Sequence, residues 1–277
     1  MRELVQFLRD RSTGGLLPLA AQTEAAVRYG LTVPHVEEIA LTSGILPTRY
    51  QRNRDMFSLP QQLALFMSRV AVVGCGGLGG YIIEELARLG IGGIVAIDPD
   101  VFQEHNLNRQ LYSTPDQLGR KKVEAAASRV AAINPAVTCR PVAEAFDEQN
   151  GPELLRGIDV AVDGLDSIPA RLLLAEMCER RGIPMVHGAI AGWSGRLATQ
   201  FPGDRTLERL YSGNRELPGI EVREGNPSFT PAVVAALEVA EVVKILLRIG
   251  EPIRHRCLSI DLFHLEFVEI TLGEEQS

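Results

Sequence analysis

The run Arg69 to Val73 is short, apolar and β-branched; it passes at once into Gly74-Cys75-Gly76-Gly77-Leu78-Gly79, and the apolar spacing from Tyr81 to Leu89 is helical. Strand, tight turn and helix in that order constrain the fold more than any other feature of the chain. Gly74 permits the turn, Gly76 lets the backbone approach a phosphate, and Gly79 lets the helix close on the strand, whose helix N-terminus offers free N–H groups to an anion. Gly74, Gly76, Gly77 and Gly79 are thus candidate nucleotide contacts. A second apolar run, Gly93 to Ile97, ends in Asp98, about where such a unit places a carboxylate for ribose hydroxyls. A glycine turn serving packing alone is the plain alternative, and the placed acid weighs against it.

The residues beyond that acid narrow the ligand. Asp98 and Asp100 precede His105-Asn106-Leu107-Asn108-Arg109-Gln110, and Lys121 and Lys122 come next. A ribose acceptor, an Asn/Arg cluster and a further cation in this order suit a triphosphate better than a nicotinamide dinucleotide. A dehydrogenase reading would use Asp98 and leave the phosphate-directed cluster unexplained. Asn106, Arg109 and Lys122 are therefore candidate phosphate ligands, and the expectation is an ATP-consuming enzyme.

The rest of the chain fits around this unit. Strand-like runs near Val70, Ile94, Val137, Val160 and Met185 alternate with helical spacing near Ile82, Val123 and Leu173, the rhythm of a doubly wound, mostly parallel, Rossmann-like α/β sheet. After Gly192 the rhythm changes: Gly195 to Phe201, Cys257 to Asp261 and Leu265 to Leu272 read as strands that extend the sheet antiparallel, and Pro231 to Arg248 as a long helix. Residues 1–48 read as a helical N-terminal extension, with Thr32 capping a short helix, and 49–277 as the nucleotide-binding domain. The extension is expected to serve packing or dimer contact rather than DNA. A net charge of -7 and the absence of a basic run with interleaved aromatics argue against nucleic acid. The first residues are too few and too charged for a signal sequence, and no apolar stretch reaches membrane length, so a cytoplasmic protein is expected.

The motifs together resemble the MoeB/ThiF type of adenylyltransferases, which activate sulfur carrier proteins and share their fold with ubiquitin-activating enzymes. The resemblance runs from about Arg49 to Gly203 and again from about Asn226 to Gly250. Arg49-Tyr50-Gln51-Arg52 is similar to the family's R-Y-x-R, which implies that Arg52 reaches the ATP of a partner subunit in a homodimer. The family's S-N-L-x-R-Q stands here with His105 in place of serine, and Lys122, thirteen residues past Arg109, has the spacing of the phosphate-binding lysine. Asp163-Gly164-Leu165-Asp166-Ser167 matches D-x-x-D-N except for Ser167, and implies a magnesium-associated role for Asp166. Many relatives hold structural zinc on two C-x-x-C pairs; none of Cys75, Cys139, Cys178 and Cys257 belongs to such a pair, so no zinc is expected. The crossover loop, about 202–229, contains no cysteine, which excludes a thioester or persulfide step there.

The resemblance implies ATP-dependent adenylation of the C-terminal glycine carboxylate of a small ubiquitin-like carrier ending in Gly-Gly, as in molybdopterin or thiamine pathways. The residue types suit that chemistry: Arg109 offers a planar fork to phosphate oxygens, Lys122 a point charge, and Asp166 a hard oxygen ligand for Mg2+. Adenylation of a small carboxylate on tRNA, as in dehydratases of the superfamily, is an alternative disfavoured by the acidic balance. A nucleotide-binding partner without turnover is another, disfavoured by the joint presence of Arg52, Asn106, Arg109, Lys122 and Asp166. His187 reads as structural, at a strand end facing the crevice. Cys178 reads as buried packing, and Cys75 as packing beside the nucleotide rather than a reactive thiol.

Overall fold

The computed structural model describes residues 1–212 and 225–272. Helices α1 (Arg2–Arg11), α2 (Leu19–Tyr29) and α3 (Val33–Thr42) come first, with two short strands, β1 (Leu16–Leu17) and β2 (Leu46–Pro47), pairing in parallel. Leu4, Leu8, Leu17, Ala25, Val36 and Ala40 close this unit around its own apolar cluster. Thr32 caps α3 by accepting the His35 N–H, as its sequence position predicts. A buried polar clamp fastens the unit to the rest of the chain. Glu37 is fully buried, takes an ion pair from Arg49 and accepts the Tyr50 hydroxyl at 2.7 Å; Asn134 in turn donates to that hydroxyl at 2.8 Å. Half of the Arg49-Tyr50-Gln51-Arg52 motif therefore serves the junction between the helices and the sheet.

Next come α4 (Leu59–Met67), β3 (Arg69–Val73), α5 (Gly77–Leu89), β4 (Gly93–Ile97), α6 (Lys122–Ile133), β5 (Thr138–Val142) and α7 (Gly151–Leu154). After them stand β6 (Val160–Asp163), α8 (Ile168–Arg181), β7 (Met185–Ala191), β8 (Ser194–Gln200), α9 (Thr206–Leu210), α10 (Phe229–Leu247), β9 (Arg256–Asp261) and β10 (Glu266–Thr271). Among the described residues eight strands form one sheet in the order β10-β9-β8-β7-β6-β3-β4-β5. Pairing from β5 through β7 is parallel and from β7 through β10 antiparallel, as the change of rhythm after Gly192 predicts.

The two-residue period of the strands sorts the core into two layers. Val70 and Val72 of β3, with Val160 and Val162 of β6, face α5, α6 and α10; Ala71, Val73 and Ala161 face α7 and α8. Helix α4 is an element that the apolar spacing does not announce. It is set by a capping box in which Ser58 and Gln61 satisfy each other's backbone N–H groups.

Candidate functional site

The strand order reverses between β3 and β6, the switch point at which open α/β sheets bind ligands. There the C-terminal ends of β3 and β4 and the loop after β6 open onto a cavity of about 470 Å³. Gly74, Gly76, Gly77, Asp98, Asp100, Arg109, Lys122 and Asp166 all line it, so residues spread over more than ninety positions meet at one place. The glycine turn is packed backbone against backbone. Gly74 has a φ of +92°, and a Cβ on it would fall 2.4 Å from the Gly164 carbonyl oxygen; a Cβ on Gly79 would fall 1.8 Å from the Gly74 oxygen. Gly79 thus closes the turn without lining the cavity.

Asp98 is buried and organises that turn: one oxygen accepts the Cys75 N–H at 2.7 Å and the other the Asp100 N–H at 2.8 Å. The Asp100 carboxylate is more open, with 63% of its side chain exposed, and pairs with the Lys122 ammonium at 2.9 Å. Lys122 stands at the first position of α6 with only 8% of its side chain exposed, 3.9 Å from Asp98. Arg109 donates to the His105 carbonyl and to the Asn108 side chain, and none of the ion pairs among the described residues includes it. Asp166 is exposed on the cavity wall.

Two predicted residues stand apart. Asn106 is buried, and its side-chain oxygen accepts the Gln103 N–H within a short 3-10 turn; it shapes the segment that presents Arg109 and does not itself line the cavity. Arg52 is exposed, outside the cavity of its own chain. Residues 213–224 of the crossover loop, about 202–229, lie outside the described residues. Cys75 is buried in the turn, where burial pushes its thiol well above the ordinary value, the inert state of a packing residue. Burial likewise pushes the Cys178 thiol up to about 12.

The lining residues that carry no site assignment from sequence include Gln110, Phe146, Arg171 and Asn226. Gln110 and Asn226 each hold a buried side-chain oxygen without a hydrogen-bond partner among the described residues. Gln110 had a signal, since it closes the motif that supplies Arg109; Asn226 had none. These unmet acceptors call for hydroxyl or amino donors, while the helix-start N–H groups and cationic side chains beside them suit an anion, and a nucleotide offers both. A second cavity, between α8 and α9, is lined by Glu148, Glu176, Glu179 and the Arg205–Glu208 ion pair, a net negative lining that disfavours phosphate.

A sequence profile of the ThiF family matches residues 50–277. The chain belongs to the ThiF family. This ThiF-family chain is 37% identical, over 224 residues, to the SAMP-activating enzyme E1 of Haloferax volcanii, covering 79% of this chain and 83% of that protein. It is 30% identical over 231 residues to the molybdopterin-synthase adenylyltransferase of Salmonella typhimurium, covering 81% and 92%. The crystal structure of E. coli MccB with ATP shares the fold with a TM-score of 0.69 at 22% identity, covering 82% of this chain and 72% of that one.

Proposed function

We propose that this ThiF-family chain adenylates the C-terminal glycine carboxylate of a small ubiquitin-like sulfur carrier protein, consuming ATP and releasing pyrophosphate. The observation that carries the reading is the single cavity at the sheet's switch point, where the glycine turn, Arg109, Lys122 and Asp166 converge. Relatives named sulfur carrier protein adenylyltransferase and molybdopterin-synthase adenylyltransferase support it. In this reading the glycine turn and the start of α5 hold phosphate through backbone N–H groups, and Asp98 fixes that turn. Asp98, the residue that the strand-end spacing assigns to ribose, has both oxygens engaged by backbone N–H groups, so in this reading the more open Asp100 would share or take over that role. Arg109 and Lys122 neutralise charge as the carrier's carboxylate oxygen attacks the α-phosphorus and pyrophosphate departs. No base is needed, because the attacking carboxylate is ionised at neutral pH.

Asp166, a carboxylate exposed on the cavity wall, suits magnesium, which takes one or two carboxylates and completes its shell with phosphates and water; it is the residue that would hold the ion, which would supply charge neutralisation at the phosphates. Trp193, Phe229 and Phe263 form an exposed aromatic cluster, Trp193 lying 4.5 Å from Phe229 between ring centroids, and Phe229 comes shortly after the cavity residue Asn226. Such a surface supports a protein substrate. Molybdopterin synthesis or a related sulfur transfer, a cytoplasmic setting and a homodimer with Arg52 acting in trans complete the proposal. No helix among the described residues is long and apolar enough to cross a membrane.

The test is ATP–pyrophosphate exchange with magnesium and a panel of carriers ending in Gly-Gly, each compared with a version shortened by one glycine. Exchange that depends on the intact tail and stops on chelation is the expected result. ATP binding without exchange for any carrier would refute carrier adenylation and favour a different carboxylate substrate or a non-catalytic partner.

A further inference from the structure

A buried chain of side chains from four elements runs through the protein and ends at the cavity wall. Asp163 closes β6 and His187 is its register partner in β7; both are fully buried, and His187 Nδ1 lies 2.6 Å from Asp163 Oδ2. His187 Nε2 lies 3.0 Å from the hydroxyl of Tyr211, the residue that caps the C-terminus of α9. Arg171 of α8 donates through Nη1 to that hydroxyl at 3.3 Å, and its Nε stands 3.7 Å from Asp163 Oδ2. Among the described residues, one proton arrangement gives each of these hydrogen-bonded pairs a donor and an acceptor. Arg171 donates to Tyr211, Tyr211 donates to His187 Nε2, and His187 Nδ1–H donates to Asp163. Burial pushes Tyr211 up to about 12 and holds His187 below its ordinary value, so at neutral pH the hydroxyl keeps its proton and the ring is neutral.

The chain grips the segment that presents Asp166. Asp163 Oδ1 accepts the Leu165 N–H at 2.8 Å, and Arg171 Nη2 donates to the Leu165 carbonyl at 2.8 Å, so the backbone is held on both sides of the residue preceding Asp166. Arg171 also lines the cavity. We infer that Tyr211 and His187 are positioning residues of the adenylation site, acting through Asp163 and Arg171 to fix the Gly164–Asp166 segment and the cationic wall beside it. The inference rests on the adenylation reading. Burying an ion pair with a tyrosine and a histidine is a poor way to gain stability, since apolar residues of similar volume commonly do as well or better. Geometric control of a reacting site does require such fixed polar contacts.

The experiment compares Tyr211→Phe, His187→Leu and His187→Gln with the wild type, using the carrier that supports wild-type exchange, with ATP affinity by calorimetry and melting temperature alongside. Tyr211→Phe removes one oxygen from a buried ring; it is expected to lower kcat for exchange by about ten- to a hundredfold while the KM for ATP moves by less than about twofold. His187→Leu should do the same. The double variant should lose no more than either single one, since both break one chain. His187→Gln, whose amide offers an N–H donor toward Asp163 and an acceptor oxygen toward Tyr211, should recover most of the rate. Wild-type exchange with kcat unchanged in folded Tyr211→Phe would overturn the inference alone, as would losses that track melting temperature without a kcat and KM split. No exchange by the wild type would overturn the adenylation reading and this inference with it.

Discussion

Glu238 of α10 is fully buried, and neither of its carboxyl oxygens has a hydrogen-bond partner among the described residues. Gly188 of β7 makes room for it, since a Cβ there would fall 2.4 Å from the carboxyl carbon. Burial, reinforced by the nearby Asp163, raises its pKa well above the ordinary value, so the folded protein holds it neutral. The unfolded chain releases that proton above about pH 4.3, and stability is lost as pH rises from there toward the folded pKa. Glu238→Gln is therefore expected to melt higher than the wild type by a margin that is small near pH 4 and widens toward pH 8; a margin independent of pH would refute a neutral Glu238. Lys122 presents a different balance. It lines the cavity, as a phosphate ligand must, but it lacks the solvent-lined position that would let Lys122→Ala keep its fold unharmed. The ammonium is buried between Asp98 and Asp100. Lys122→Ala should abolish exchange and also cost about 1–3 kcal/mol in denaturant unfolding, the scale of leaving a buried charged acceptor without its donor. Full stability in that variant would mean that the backbone N–H groups alone satisfy Asp98.

At the scale of elements, the β3–turn–α5 unit separates glycines that packing requires from one that it does not. Gly79→Ala would drive a methyl to 1.8 Å from the Gly74 carbonyl and should prevent stable folding or empty the site of nucleotide. Gly80, next in the same helix, would place its methyl in ordinary contact with Leu111 at 3.5 Å. Gly80→Ala is expected to stabilise the protein by about 0.5–1 kcal/mol, the helix preference of alanine over glycine. Thermal unfolding of the pair checks both, and similar behaviour of the two variants would contradict the packing. This unit was legible in sequence because local rules write it: a β-branched run, three glycines at fixed spacing, an acid at the next strand end. The parallel and antiparallel halves were legible for the same reason, from period and punctuation. The Glu37 clamp was not, since its partners Arg49, Tyr50 and Gln22 come together only in three dimensions. Nor was the link between Tyr211 and Asp163, forty-eight residues apart, or the exposure that divides the work between Asp98 and Asp100. Asn106 reads from sequence as a phosphate ligand, and burial instead makes it a support for the turn carrying Arg109.

Across the whole molecule, Arg52 is an assigned residue that has no local part in the site it should serve. Arg52 is exposed just beyond the buried Tyr50 anchor and does not line the cavity of its own chain. In the proposed reading Arg52 serves the nucleotide phosphate of a second copy, and a closed two-fold pair would then complete both sites reciprocally. The proposal makes a prediction about mixtures that no single variant can give. Arg52→Ala and Asp166→Ala should each be nearly inactive in pyrophosphate exchange. When the two are unfolded together and refolded, half of the dimers pair one of each. In such a pair the Arg52→Ala subunit keeps its own Asp166 and receives Arg52 from its neighbour, while the other site lacks both. Random pairing should therefore restore about a quarter of wild-type activity. If Arg52 acts within its own chain, every site in the mixture lacks one group and activity stays at the level of the separate variants. Sedimentation of the same samples establishes whether dimers form; a strictly monomeric wild-type protein that still exchanges pyrophosphate would refute action in trans.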